Sequence, residues 1–230
     1  MSILRCALMC LPLLLPEFAA AALLVNGGFE ISESTTGFGP TGFGDWEHDE
    51  SSIVSAENGV IPFSGNQMLK FIGTNPNGAI TGSGSEVWQF VDASSIPAGS
   101  RVGLTGYFNR VEGDSQTDTV ALIRVSAHSG NPTNFFNTPN PPVIRSETFL
   151  FSDSDASTWE KLSIEPLEVP ANTDYLAVLV VASENVFNDS SSPEFDGHYI
   201  DAVSLFVVPE PASALLIGVL LASMSLRRKS

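Results

Sequence analysis

The stretch Arg101–Val111, RVGLTGYFNRV, places Val102, Leu104 and Phe108 on one face of an extended chain. That is the period of two shown by a half-buried strand. Two further stretches, Thr119–Val125 (TVALIRV) and Tyr175–Ala182 (YLAVLVVA), are apolar on both faces, as central strands of two packed sheets require. Outward from these, runs rich in branched and aromatic residues recur between clusters of Gly, Pro, Asn, Asp and Ser. The pattern predicts strands at Leu23–Val25, Gln67–Ile72, Glu86–Val91, Arg101–Arg110, Thr119–His128, Ser146–Phe151, Trp159–Val169, Tyr175–Ser183 and Tyr199–Val207. No segment between Leu23 and Val207 carries convincing helical periodicity. The expected fold is therefore all-β, a two-sheet β-sandwich of jelly-roll type.

Three long stretches read as surface loops: Ser32–Asp45, Ser129–Pro142 and Glu184–His198. Function on a sandwich usually sits in such loops. Of the 230 residues, 43% are hydrophobic and the formal net charge is −16, enough apolar content for one sizeable domain. Between the two ends of the chain only Lys70, Arg101, Arg110, Arg124, Arg145 and Lys161 are positive, and the acidic residues are spread throughout. Such a surface repels nucleic acid and anionic lipid, so no nucleic-acid partner is expected.

Residues 1–22 have the three parts of a secretory signal peptide. Arg5 supplies the positive region, Cys6–Leu15 the apolar region, and Ala19–Ala21 the small residues a signal peptidase needs. The run is too short to span a bilayer and is interrupted by Pro12 and Pro16. Cleavage is expected within Ala20–Ala22. A lipoprotein reading of Cys10 fails because Met9 is too large for that processing. Both cysteines, Cys6 and Cys10, lie in this segment, so the mature chain has neither a disulfide framework nor a thiolate site.

LLVNGGFE at the start of the body, VWQFV followed by PAGSRVGLTGYFNR, the strand with Trp159, and the closing HYIDAVSL resemble the galactose-binding-like jelly rolls. That superfamily includes many non-catalytic carbohydrate-binding modules, and the resemblance covers residues 23–207. It implies that the first and last strands lie together with a structural calcium beside them, ligated by Glu30 and Asp201. Calcium takes several hard oxygen ligands in irregular geometry. The plainer alternative makes Glu30 a turn carboxylate and Asp201 an edge residue bonded to backbone. The resemblance also implies a polysaccharide ligand on an aromatic platform. Trp46, after the Gly-rich loop, is one candidate; Trp88 and Trp159 sit in strands, where a lone Trp is more often core. Phe135 and Phe136 in the middle loop, and Phe187 and Phe195 in the last, either face solvent or plug the ends of the sandwich.

No catalytic constellation is legible. His48, His128 and His198 lack metal-ligand spacing, and no Gly-x-Ser-x-Gly elbow occurs. Asp153, Asp155 and Ser157 alternate as in a calcium loop, but Thr158 stands where Gly is required and Ile164 where the closing Glu belongs. Carboxylates such as Glu47 and Asp49 are plentiful, yet nothing singles out a glycosidase pair. No enzyme is expected.

Residues 208–230 decide where the body goes. Pro209-Glu210-Pro211 forces an extended segment. Ala212–Leu226 is an uncharged, mostly apolar run, and Arg227, Arg228 and Lys229 form a stop-transfer end. As a helix the run reaches only about 22 Å against a hydrocarbon core of about 30 Å, a short transmembrane helix suited to temporary anchoring. The order of elements, from Val208-Pro209-Glu210-Pro211 through the span to Arg-Arg-Lys, resembles the PEP-CTERM sorting signal of bacterial secreted proteins. It implies an exosortase that recognises Pro209, Glu210 and Pro211, with transient attachment to the inner membrane. The destination it implies is the cell surface or an exopolysaccharide-bearing extracellular matrix. The expectation is thus an exported, sorted, non-catalytic carbohydrate-binding module. The alternatives are a structural or adhesive matrix sandwich, and an exopolysaccharide-modifying hydrolase.

Overall fold

A computed structural model describes residues 23–73, 84–111, 119–137, 139–153, 155–184 and 197–208. Among them ten strands form: β1 (Glu47–His48), β2 (Glu50–Val54), β3 (Met68–Gly73), β4 (Gly84–Asp92), β5 (Arg101–Arg110), β6 (Thr119–His128), β7 (Ile144–Phe151), β8 (Glu160–Glu168), β9 (Tyr175–Glu184) and β10 (His198–Val208). They make two five-stranded sheets, ordered β1-β4-β9-β6-β7 and β2-β3-β10-β5-β8, and every pairing between strands is antiparallel. Only β2–β3 and β6–β7 are consecutive neighbours within a sheet; every other connection changes sheet. That weaving is what a jelly-roll sandwich requires.

The alternation in β5 does what its sequence implies: Val102, Leu104 and Phe108 are fully buried between the sheets. Facing them from β6 and β9 are Ala121, Ile123, Val125, Leu176, Val178 and Val180. Each buried side chain of this size contributes about 1.5–3 kcal/mol relative to exposure, and this shared layer holds the two sheets together.

Two expectations change. Leu23–Val25 is not a strand. Its N–H groups go instead to Leu205 O (3.1 Å) and to the side chain of Gln89 (2.9 Å), and the Gln89 amide donates back to Val25 O at 2.8 Å. A buried glutamine thus does the work of a partner strand. Conversely, β1 and β2 lie in EHDESSIV, too polar to carry an alternation signal; as short edge elements they bury little.

The outer face of β9 and the Val120–Leu122 end of β6 are apolar, and part of that surface is covered from outside. Residues 129–137, after β6, turn back over the outer face of the first sheet. Phe135 there packs on Trp88, Phe90 and Leu179 from outside. The second sheet is roofed in the same way by residues 55–67, the β2–β3 connection, which bury Val60, Met68 and Tyr199.

Candidate functional site

Strand register places three rows across the outer face of the first sheet. Glu86, Val181, Leu122 and Phe149 form one, Trp88, Leu179, Arg124 and Glu147 the next, and Ser183, Val120 and Phe151 the row beyond. In β7 exposure alternates strictly, so Arg145, Glu147, Phe149 and Phe151 all point outward. Phe149 and Phe151 keep 59% and 47% of their surface exposed, with rings edge-to-face at 5.9 Å. This leaves aromatic surface open on a sheet face, beside half-buried Leu122 and Val181, where a ligand ring has room to stack.

The polar groups of this face are held in place. Arg124 Nε donates to Glu147 Oε2 at 2.7 Å, and Trp88 Nε1 donates to Glu86 Oε2 at 3.0 Å. An apolar floor with a few oriented polar groups can stack a ring and bond its hydroxyls.

The roofed half of the same face contains two of the expected ligand residues. Phe135 lies 5.0 Å from both Trp88 and Phe90 and 5.1 Å from His128. Phe136 stacks on His48 at 4.8 Å. The Gly-rich loop abuts Phe136 so closely that a Cβ on Gly39, whose φ is +102°, would lie 2.0 Å from the ring. The pair therefore plugs a sheet face, not an end of the sandwich, and Phe136 alone stays substantially exposed. Beneath, Asn140 donates to the Tyr175 hydroxyl at 2.7 Å. Burial pushes that phenol up to about 12, and burial lowers His128. Asp49, 3.3 Å from His48, raises His48.

Trp46 departs from expectation. It is completely buried, packs on Phe29 at 5.5 Å, and donates its Nε1–H to Val25 O at 3.0 Å. No face remains for a ligand: it is a core residue. Trp88 is also nearly buried, whereas Trp159 is only half-buried.

Glu30 and Asp201 converge on one turn. Asp201 Oδ2 accepts from Ser64 N at 2.9 Å, and Glu30 Oε1 accepts from Asn66 N at 2.8 Å and Gln67 N at 3.0 Å. These backbone bonds hold the Glu30 carboxyl below its usual range. Asp201 is fully buried, and burial, with the Glu30 charge as a lesser cause, pushes it up to about 6. Among the described residues no three His, Cys, Asp or Glu side chains gather as a metal set. The donor set fits calcium only in part: two mutually repelling carboxylates, with any further oxygens drawn from backbone.

Phe187, Phe195, Pro209, Glu210, Pro211, Arg227, Arg228 and Lys229 lie outside the described residues. Val208 is the last described residue, paired with Arg101 at the end of β10. Among the described residues no helix is long and apolar enough to cross a membrane.

Phe149, Phe151, Phe63 and Tyr107 were not singled out by sequence. For β7 the signal was present: in IRSETFLF, the face carrying Arg145 and Glu147 continues into Phe149 and Phe151, so a solvent face ends in two rings.

No family model matches the chain, and no curated relative matches it. Solved structures do. The chain is 17% identical to TmCBM61, solved in complex with β-1,4-galactotriose, over 81% of this chain and 99% of that one, with a TM-score of 0.47. It is 10% identical to the enzymatically active domain of tailspike protein 4 of bacteriophage CBA120, with a TM-score of 0.50. That match covers 81% of this chain but only 21% of the tailspike chain. A third, the C-terminal family 22 carbohydrate-binding module of Clostridium thermocellum Xyn10B, is 15% identical over 73% of this chain and 89% of its own, with a TM-score of 0.42. At these identities the likeness is one of fold alone.

Proposed function

We propose that this chain is an exported, sorted surface or matrix protein whose sandwich binds polysaccharide without acting on it. The observation that carries the reading is the outward pair Phe149 and Phe151, exposed on a sheet face beside the oriented Arg124–Glu147 pair. Sugar rings present apolar C–H faces that stack on such aromatics, while their hydroxyls bond to fixed charged groups. Binding without catalysis is supported by the duties of the carboxylates near the two faces. Glu147 pairs with Arg124, Glu86 accepts from Trp88, and Glu30 and Asp201 clamp a turn. Export and exosortase sorting rest on the motifs at residues 1–22 and 208–230. A calcium ion held by Glu30 and Asp201, relieving their mutual repulsion, completes the reading.

The test is retention of the full chain on immobilised β-1,4-galactan and xylan. Wild type is expected to be retained and Phe149→Ala to elute early with an unchanged melting temperature. No retention of wild type favours a structural or adhesive sandwich. Release of shortened product from either polymer points to a hydrolase.

A further inference from the structure

The three tryptophans of the chain have different fates. Trp46 and Trp88 retain 0% and 7% of their surface, but Trp159, just before β8, keeps one side open. Its polar handle is already spent, because Nε1 donates to Ile61 O at 2.9 Å. The surface Trp159 still offers is therefore ring, not hydrogen-bond donor.

Opposite it stands Phe63, which is 43% exposed. Phe63 is stacked flat on Tyr107 at 3.7 Å and 14°, and meets Trp159 at 6.1 Å and 66°. The two rings make a corner over a hollow of about 260 Å³ lined by Gly59, Ile61, Pro62, Ala156 and Ser157. This is smaller than the roughly 300–1,000 Å³ pockets that take drug-sized ligands, so one ring-sized ligand is the scale that fits.

The corner is rigid before any ligand arrives. Residues 55–67 are tied down along their length. Tyr199 OH donates to Glu57 Oε1 at 3.0 Å, Asn58 Nδ2 donates to Tyr199 OH at 3.1 Å, and Lys70 pairs with Glu57 at 3.0 Å. The Asp201 and Glu30 clamps follow at Ser64, Asn66 and Gln67. A preformed site loses little side-chain freedom on binding.

Its rim suits hydroxyl groups. Ser157 spends its hydroxyl proton on Asp155 Oδ1 at 2.6 Å, which leaves the Ser157 oxygen as an acceptor. Lys161 stands opposite Tyr107 in the β5–β8 register and supplies a donor on the same face. The net charge of −16 selects against a polyanion.

We infer that the corner between Phe63 and Trp159 is a second glycan subsite for one uncharged sugar ring, and that the domain is bivalent, joining two polysaccharide chains. The inference rests on the sugar-binding reading of the first sheet face. The two sites sit on outer faces of opposite sheets, and packed sheets lie about 10 Å apart, so the rings look in opposite directions. One straight glycan cannot fill both. Two sites on one body raise avidity for a dense polymer and cross-link it.

The test is agglutination of beads coated with β-1,4-galactan or xylan, with alginate-coated beads as the polyanionic control and the full chain as bridging agent. Capture on a flat layer of the same polymer measures single-site binding. Wild type is expected to agglutinate neutral beads and not alginate. Phe63→Ala, which alters a surface ring, is expected to keep flat-layer capture but to need at least about tenfold more protein to agglutinate, the cost of losing one stacked ring. Ser157→Ala, a change too small to unfold the loop, is expected to shift agglutination in the same direction. Phe149→Ala is expected to weaken flat-layer capture, leaving only what the second site holds, and to lose agglutination.

Agglutination by Phe63→Ala at the wild-type dose overturns the second subsite and leaves the first-face reading intact. If Phe63→Ala abolishes capture while Phe149→Ala changes nothing, bivalence is overturned and the first-face reading falls with it. Wild type that neither captures nor agglutinates overturns both.

Discussion

Asp201 and Glu30 grip a single turn together: Asp201 Oδ2 takes Ser64 N at 2.9 Å and Glu30 Oε1 takes Asn66 N at 2.8 Å. The residue between the two grips is Gly65, with φ +64°. Sequence, turn and roof are linked here: two acidic residues far apart in the chain pin residues 55–67 over the second sheet. The aromatic corner exists because that roof is held down.

Calcium should act through this clamp. Two carboxylates close enough for one to raise the other gain from a divalent cation between them. Added to chelator-treated protein at about 100 times its dissociation constant, calcium contributes about 2.7 kcal/mol. For a domain of this size that is a rise of about 5–10 °C in melting temperature. Glu30→Gln and Asp201→Asn should each abolish the rise. No calorimetric heat and no shift would leave the two carboxylates as turn clamps only.

Gly65→Ala tests the clamp without touching a charge. A Cβ there would lie 2.1 Å from Glu30 Oε1, on backbone that side chains rarely adopt. The expected cost is about 1–3 kcal/mol. Amide exchange should quicken in residues 55–67 while β6 and β9 stay protected. Uniform destabilisation would mean that the roof and the core unfold together.

His198 sets the acid limit. Its ring is fully buried, 2.6 Å from Thr119 Oγ1, and burial, with the Arg110 charge second, lowers it to about 3 from 6.5. Between those values the unfolded chain binds a proton that the folded chain refuses. The stability contributed by neutral His198 is thus complete above pH 6.5 and is lost as pH falls toward 3. The slope is about 1.4 kcal/mol per pH unit for one proton. His198→Gln should show a flatter decline from pH 6.5 to 4, measured by denaturant titration. Parallel curves would mean that other groups carry the acid sensitivity.

Trp46 and Phe149 show how much of the site the sequence displayed. β5 was legible because a strand with one buried face repeats every second residue, and Val102, Leu104 and Phe108 are all buried. Trp46 was misleading because a Gly-rich loop precedes it. Loop composition says where the chain turns, not where the next side chain goes, and a buried carbonyl at Val25 gave the indole N–H a partner. The roofing of both sheets was hidden because Phe135 and Phe63 sit in loops whose path depends on contacts far away in sequence. The prediction is a clean separation. Trp46→Ala should cost about 3–5 kcal/mol as a cavity mutation, and Phe149→Ala should leave the melting temperature unchanged while weakening glycan retention. Loss of retention in a folded Trp46→Ala protein, with Phe149→Ala binding normally, would move the site away from β7.

The proposed sorting role of residues 208–230 has a consequence that mass spectrometry reads directly. β10 remains paired with β5 up to Val208, opposite Arg101, and Pro209 follows at once. In sequence, Pro209-Glu210-Pro211 thus follows directly on Val208, the last described residue of β10. Proline offers no N–H to donate to a ladder. Intact mass of the protein recovered from its native host, with and without the exosortase, reads the outcome. The expected native form lacks residues 1–22 and everything beyond the Pro-Glu-Pro region, and keeps its tail when the exosortase is deleted. Inserting a Gly-Ser spacer after Val208 should raise the processed fraction if access beside the sheet is limiting. A tail that persists in both strains would make the apolar run an ordinary anchor and the sandwich a membrane-tethered domain.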